Sequence, residues 1–241
     1  MADSLACAAI AARLSQETKK RTPPRLWRAQ LVIPNKMEVS PPIAEAVRLY
    51  LAGFFTFVAV FYSTRILYLK RQEADEIVHP GARFSPTGGN HMVFRLFRVA
   101  IWAVCVTRVF VPSIDPYLGP IGVLQSDAIV LTGTALLTAG FGLAMASHFA
   151  LGHGWRSGFD GGGPAQLRVD GLYRVSRNPS FVGVMIAQVG FWLALPSWFS
   201  TVCLVVGVVA VDRQTLSEER HMEPVFSDAY TEYKRRVRRW I

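Results

Sequence analysis

Residues 177–213 read RNPSFVGVMIAQVGFWLALPSWFSTVCLVVGVVAVDR. No charged side chain lies between Arg177 and Asp212. Asn178-Pro179 has the form of a helix start: Asn is a favoured N-cap, and Pro at the first helical position forfeits no needed donor. Pro196-Ser197-Trp198 interrupts the run and leaves two arms of about 15 residues, short of the 20 or so that a helix rising 1.5 Å per residue needs to cross hydrocarbon. The stretch therefore predicts a tight apolar helical hairpin with polar residues at both open ends.

Working outward, three more apolar runs precede the hairpin. Ala46–Leu69 has Arg48 and Arg65 near its ends and Lys70-Arg71 beyond. Val93–Val111 is more polar, with Arg95 and Arg98 expected to snorkel at one end and Arg108 at the other. Ala128–Ala150 carries no Asp, Glu, Lys or Arg, and its Gly133, Gly140 and Gly142 offer sites for close helix packing. The expectation is an all-α, polytopic membrane helix bundle of about five transmembrane helices, the last two forming the hairpin. Residues 1–43 are expected as an N-terminal arm: basic Lys19-Lys20-Arg21 and two Pro pairs break an Ala-rich start, and no secretory h-region with a cleavage site is seen.

The composition supports a membrane class. Hydrophobic residues make up 51% and charged residues 18%, which excludes disorder and fits an ordinary soluble domain poorly. The net charge of +9 would suit nucleic acid, but its Lys and Arg flank apolar spans and no reader motif is present, so no nucleic-acid partner is expected. Such charges fit anionic lipid headgroups. Loop 112–127 has no Lys or Arg, whereas 70–92, 152–178 and the tail do, which places the latter three in the cytoplasm. Five crossings then put the N-terminal end outside, against the basic residues of 13–36. The three cysteines and five histidines match no CxxC or HExxH spacing, so no metal is expected.

The residues able to carry chemistry gather at the cytoplasmic ends of the hairpin. The Arg177 guanidinium at a membrane edge calls for an anionic partner, and Glu218-Glu219 follow the second arm. Adjacent acids occupy different helix faces, so at most one need enter a site. The free N–H groups at Asn178 form an anion-binding end, or else cap a helix that merely enters the membrane. Phe226, Tyr230, Tyr233, Val237 and Trp240 recur at helical spacing among Lys and Arg, which predicts a C-terminal amphipathic helix on the membrane surface. The glycine-rich segment 152–163 reads as a linker or a flap, and His148 and His153 as edge residues.

The ordered set, Leu167 through Gly183, then Glu218-Glu219, then the aromatic tail, resembles the isoprenylcysteine carboxyl methyltransferases and the wider phospholipid methyltransferase group. The likeness covers about residues 128–241; the first crossings match only as hydrophobic helices. Two positions depart from it: Phe181 stands where a Tyr is usual, and Ser227 where a Gly is usual.

The resemblance implies an integral membrane methyltransferase that uses S-adenosylmethionine, its domain spanning 44–241 and its cofactor-binding part about 150–241. It assigns Gln166, Leu167, Arg168 and Tyr173, then Asn178, Pro179, Ser180 and Phe181, then Glu218 and Glu219 to the cofactor. Arg177, Glu218 and Arg213 would be catalytic, Arg213 at a spacing that differs from the family's. The implied acceptor is lipophilic, a prenylcysteine-like carboxylate or a lipid amine. The implied membrane is a bacterial inner membrane or the endoplasmic reticulum, with the site facing the cytoplasm. An NADPH-dependent reductase of the steroid 5-alpha-reductase type, and an inert membrane protein on the same scaffold, stand as alternatives.

Overall fold

The computed structural model describes residues 38–72, 78–79, 86–151, 157–158 and 167–241. The arm expected over 1–43 falls outside them, apart from its last residues. The described chain is helical: α1 (Pro41–Gln72), α2 (Pro86–Phe110), α3 (Asp127–Leu151), α4 (Pro179–Ala194) and α5 (Trp198–Arg236), with short 3-10 turns between them. β structure among the described residues is limited to a two-residue parallel pairing of Val78–His79 with Ser157–Gly158 and an isolated antiparallel bridge between Pro120 and Ser197.

Three helices are long and apolar enough to cross a membrane: α1 over Pro41–Arg65, α3, and α5. Helix α4 is apolar but has only 16 residues, about 24 Å at the usual rise. Many large apolar side chains face outward on these helices, among them Leu49, Phe57, Val60, Val202 and Val205. An exposed apolar surface of this extent fits lipid as its solvent. The chain is thus an integral membrane helix bundle.

The bundle closes on one apolar core to which all five helices contribute. Val47 and Leu51 come from α1, Cys105 from α2, Val130 and Leu137 from α3, Phe191 and Ala194 from α4, and Cys203 from α5. Helices α3 and α4 approach closest, because small residues meet across their interface. A Cβ added at Gly133, Gly140, Gly183 or Gly190 would collide with the backbone of the opposite helix. Lipid gives helices no hydrophobic reason to associate, so this backbone-to-backbone approach supplies the dispersion contacts that hold the pair. Gly142, expected to join in the packing, faces open space instead, because it lies on the other side of α3.

The hairpin turn is built as its sequence suggests. Ser197 caps α5, its hydroxyl accepting from the Ser200 N–H while the Ser200 hydroxyl accepts from the Ser197 N–H. The Pro196 carbonyl accepts from the Ile121 N–H at 3.0 Å and from Gln125 Nε2 at 3.0 Å, and the Gly119 carbonyl accepts from the Trp198 N–H at 2.9 Å. The α2–α3 connection is thereby tied to the turn. Asp127, at the start of α3, accepts from the Ser40 N–H at 2.8 Å and ties α1 to the same end.

Two expectations about polar ends change. Arg108 does not snorkel: it is buried and paired with Asp115 in the turn that follows α2, at 2.6 Å. The C-terminal aromatic stretch is a helical segment set off by a kink, as expected, but its aromatic face packs inward rather than lying on the membrane surface. Helix α5 runs on to Arg236 and bends at Ser227, whose φ of 44° and ψ of −117° are not helical. The bend turns Tyr230 and Tyr233 inward, where both are buried. Val237 caps the helix and Trp240 lies beyond it.

Candidate functional site

The open end of the hairpin is held by a carboxylate. Glu219 lies on α5 about two turns past Val211, where the apolar run ends, and its side chain is 6% exposed. Its Oε1 accepts from Arg177 Nη2 at 2.9 Å, Arg177 Nε at 3.1 Å and Asn178 Nδ2 at 3.2 Å. Its Oε2 accepts from Arg239 Nη2 at 2.9 Å and Arg239 Nε at 3.0 Å. Burial pushes the Glu219 carboxyl up, but the hydrogen bonds from Arg239 and Arg177 outweigh it and hold the group below the usual glutamate range.

Arg177 is correspondingly engaged. Besides Glu219, its Nη1 donates to the Val237 carbonyl at 2.9 Å and to the Lys234 carbonyl at 3.3 Å, and its backbone N–H donates to the Arg238 carbonyl at 2.9 Å. The fork of guanidinium donors suits this work, since one side chain satisfies a carboxylate and two carbonyls at the frayed end of α5. The Ser176 hydroxyl donates to the Arg239 carbonyl at 3.1 Å and receives the Asn178 N–H at 3.1 Å. Tyr233 donates its hydroxyl to the Tyr173 carbonyl at 2.6 Å. The tail is thus stitched to the segment that precedes α4.

The helix start expected at Asn178-Pro179 is present, but Asn178 does not cap it with its side chain. The amide turns to Glu219 instead. The first turn of α4 then holds Pro179, which is buried, and Ser180 and Phe181, which are partly exposed.

Glu218 stands apart from this cluster. It is half-buried and accepts from Gln214 Nε2 at 2.9 Å, one turn back on α5. Loss of water pushes its carboxyl up to about 7, against the hydrogen bond from Gln214 that lowers it. Tyr173 is buried, and its phenol is pushed up by burial first and by the charges of Tyr233 and Glu218 next, which places Tyr173 within the field of Glu218.

The remaining expected residues are more peripheral. Leu167 is half-buried; Arg168 is exposed and pairs with Asp170 at 2.6 Å. Arg213 is exposed on α5. Gln166, the glycine-rich segment 152–163 and His153 lie outside the described residues, apart from the pair Ser157–Gly158. Arg239, Ser176, Gln214 and Tyr233 take part in the site without having been singled out for it. The tail's Arg and Lys read as the polar faces of an amphipathic helix in the sequence; the bend at Ser227 and the end of α5 at Arg236 bring Arg239 back onto Glu219.

Taken together, the bundle and its ion cluster define an integral membrane protein with a polar site at one boundary of the final hairpin. Residues 128–229 match the model of the phospholipid methyltransferase family; the match agrees with the resemblance, takes in Arg177 and Glu218-Glu219, and ends before Tyr230. No curated protein and no solved structure matches the chain significantly.

Proposed function

We propose that the chain is a membrane methyltransferase that uses S-adenosylmethionine to methylate a lipophilic acceptor where α4 begins and α5 leaves the bilayer. One observation carries this reading: the two adjacent acids are used differently. Both oxygens of Glu219 are engaged by Arg177, Asn178 and Arg239, whereas Glu218 beside it accepts from a Gln214 amide and has acceptor capacity left. Glu219 then frames the site, with Arg177 as a positioning residue. Glu218 is the carboxylate offered to a ligand.

The residue types suit the cofactor. When bound, S-adenosylmethionine supplies a methyl carbon open to in-line displacement at a sulfonium. Glu218 would accept from its ammonium or ribose hydroxyls. The faces of Tyr173 and Phe181 favour a cationic sulfur by roughly 0.5–2 kcal/mol. Leu167, Arg168, Asn178, Pro179 and Ser180 complete the wall. Positioning accounts for most of the expected gain, as the reaction needs two groups aligned and little covalent help. A carboxylate acceptor needs no base. An amine acceptor must arrive deprotonated or give up a proton. The acceptor reaches the site sideways from the bilayer, and the cofactor arrives from the cytoplasm, in a bacterial inner membrane or the endoplasmic reticulum.

Calorimetric titration of the purified protein with S-adenosylmethionine and with NADPH tests the assignment. Binding of the methyl donor, and radiolabelled methyl transfer into a membrane lipid extract or a prenyl-cysteine compound, is the expected result. Binding of NADPH alone overturns it.

A further inference from the structure

The far end of α4 holds a second buried ion group that methyl transfer does not use. Asp115, in the turn Pro112–Leu118, accepts from Arg108 Nε at 2.6 Å on Oδ1, and on Oδ2 from Arg48 Nη2 at 2.9 Å and Arg108 Nη2 at 3.2 Å. Two guanidiniums share one carboxylate, so the group carries one net positive charge. It is partly shielded: the side chains of Arg108, Arg48 and Asp115 are 9%, 20% and 30% exposed. Arg108 Nη1 and Arg48 Nε are both buried and have no hydrogen-bond partner among the described residues. A cation held away from water in excess of its counter-charge is costly, and a bound anion would offset that cost.

The group borders a chamber. Arg108 and Asp115 line a cavity of about 250 Å³ whose other walls are mainly apolar, including Val39, Val47, Val130 and Leu195. The cavity lies between the starts of α1 and α3 and the hairpin turn, the length of α4 away from Glu219. Loop 112–127 beside it contains no Lys or Arg; of its two acids, Asp115 belongs to the triad and Asp127 is engaged by the Ser40 N–H. One charged spot in an apolar chamber matches a molecule with an anionic head and a hydrocarbon body. The volume accepts the head and a few carbons and leaves the rest of a chain to the bilayer.

We propose that this cavity binds the head of an amphiphilic oxyanion, a phosphate or carboxylate on a hydrocarbon, with Arg108 as its counter-ion. The proposal is independent of the methyltransferase reading.

Thermal unfolding of the full chain in a neutral detergent, titrated separately with dioctanoyl phosphatidic acid, dioctanoylglycerol and inorganic phosphate, tests it. The anionic lipid is expected to raise Tm with the logarithm of its concentration above Kd, by roughly 5 °C at about a hundredfold excess. The neutral lipid and free phosphate at equal concentration are expected to leave Tm unchanged. Arg108→Gln should abolish the response. Ala44→Phe, which fills the chamber and keeps the ion triad, should abolish it too, and serves if Arg108→Gln fails to fold. Equal shifts from the anionic and neutral lipids overturn the proposal. So does a response reproduced by phosphate alone, or one retained in Ala44→Phe.

Discussion

Arg177 and Glu219, 42 residues apart in sequence, meet through two hydrogen bonds of 2.9 and 3.1 Å, with side chains 9% and 6% exposed. The pair joins the segment before α4 to the emergent part of α5 and closes the hairpin at its open end. Removing one member of a buried pair strands the other. Glu219→Ala is therefore expected to destabilise the folded protein by about 3–5 kcal/mol, read from denaturant unfolding in detergent. Arg177→Met combined with Glu219→Leu should cost less than the two single changes together. A purely additive double-mutant cycle would show that the two side chains are not coupled.

Glu218→Gln should behave in the opposite way. Its partner is the Gln214 amide, and the variant is expected to fold at least as well as the parent while losing affinity for S-adenosylmethionine about tenfold or more, the loss of one charge-assisted contact. Calorimetry on folded, detergent-purified protein separates this from a folding defect. Unchanged affinity would remove Glu218 from the site.

The raised Glu218 carboxyl also sets a pH dependence. Its pKa in the folded chain is about 7, above the ordinary glutamate value. At low pH the group is protonated in both states and costs nothing. As pH rises from the ordinary value toward 7, the unfolded chain releases the proton and the folded chain retains it, so stability falls. The stability of the parent relative to Glu218→Gln should thus decline between about pH 5 and 7 and level off above. A flat difference across that window contradicts the burial described. Over the same window, cofactor affinity should rise with pH as the carboxylate forms.

Ser227 adopts a backbone conformation that suits Gly, with φ 44° and ψ −117°. Ser227→Gly should relieve strain of about 1–3 kcal/mol, less the extra freedom that Gly gains on unfolding, for a net gain of about 1 kcal/mol. A higher unfolding midpoint is the expected readout. A lower one means the bend is held by something other than the residue's own φ.

The glycines of α3 offer a paired test. Gly140→Ala puts a methyl into the α4 backbone and should cost about 1–3 kcal/mol, whereas Gly142→Ala meets open space and should be neutral or gain up to about 1 kcal/mol from helix propensity. Similar effects at both positions would disprove the close α3–α4 approach.

Much of the fold is legible because lipid imposes simple rules. Apolar runs gave α1, α3 and the hairpin, and Pro196-Ser197 marked the turn. What the sequence cannot display is which polar residues find each other. Arg108 reads as an edge residue because its partner, Asp115, lies seven positions on in a turn whose path depends on tertiary contacts. Asn178 reads as a helix cap, and it takes the position, but a carboxylate from a distant helix claims its amide. The tail reads as an independent amphipathic helix because its period is regular, and the kink at Ser227 does set it off; what the period cannot display is that its aromatic face packs inward. Arg177 and the acid pair were identifiable as candidates, yet which of the two acids meets the arginine depends on the rotation of α5.

The mooring of the hairpin turn has a mechanical consequence. One carbonyl, at Pro196, holds both a main-chain and a side-chain donor of the α2–α3 connection, and glycine-to-backbone contacts interlock α3 with α4 along their length. Neither helix can slide or tilt without dragging the other. A bulky molecule that passes between helices is thereby directed to the other seams of the bundle rather than to the one between α3 and α4.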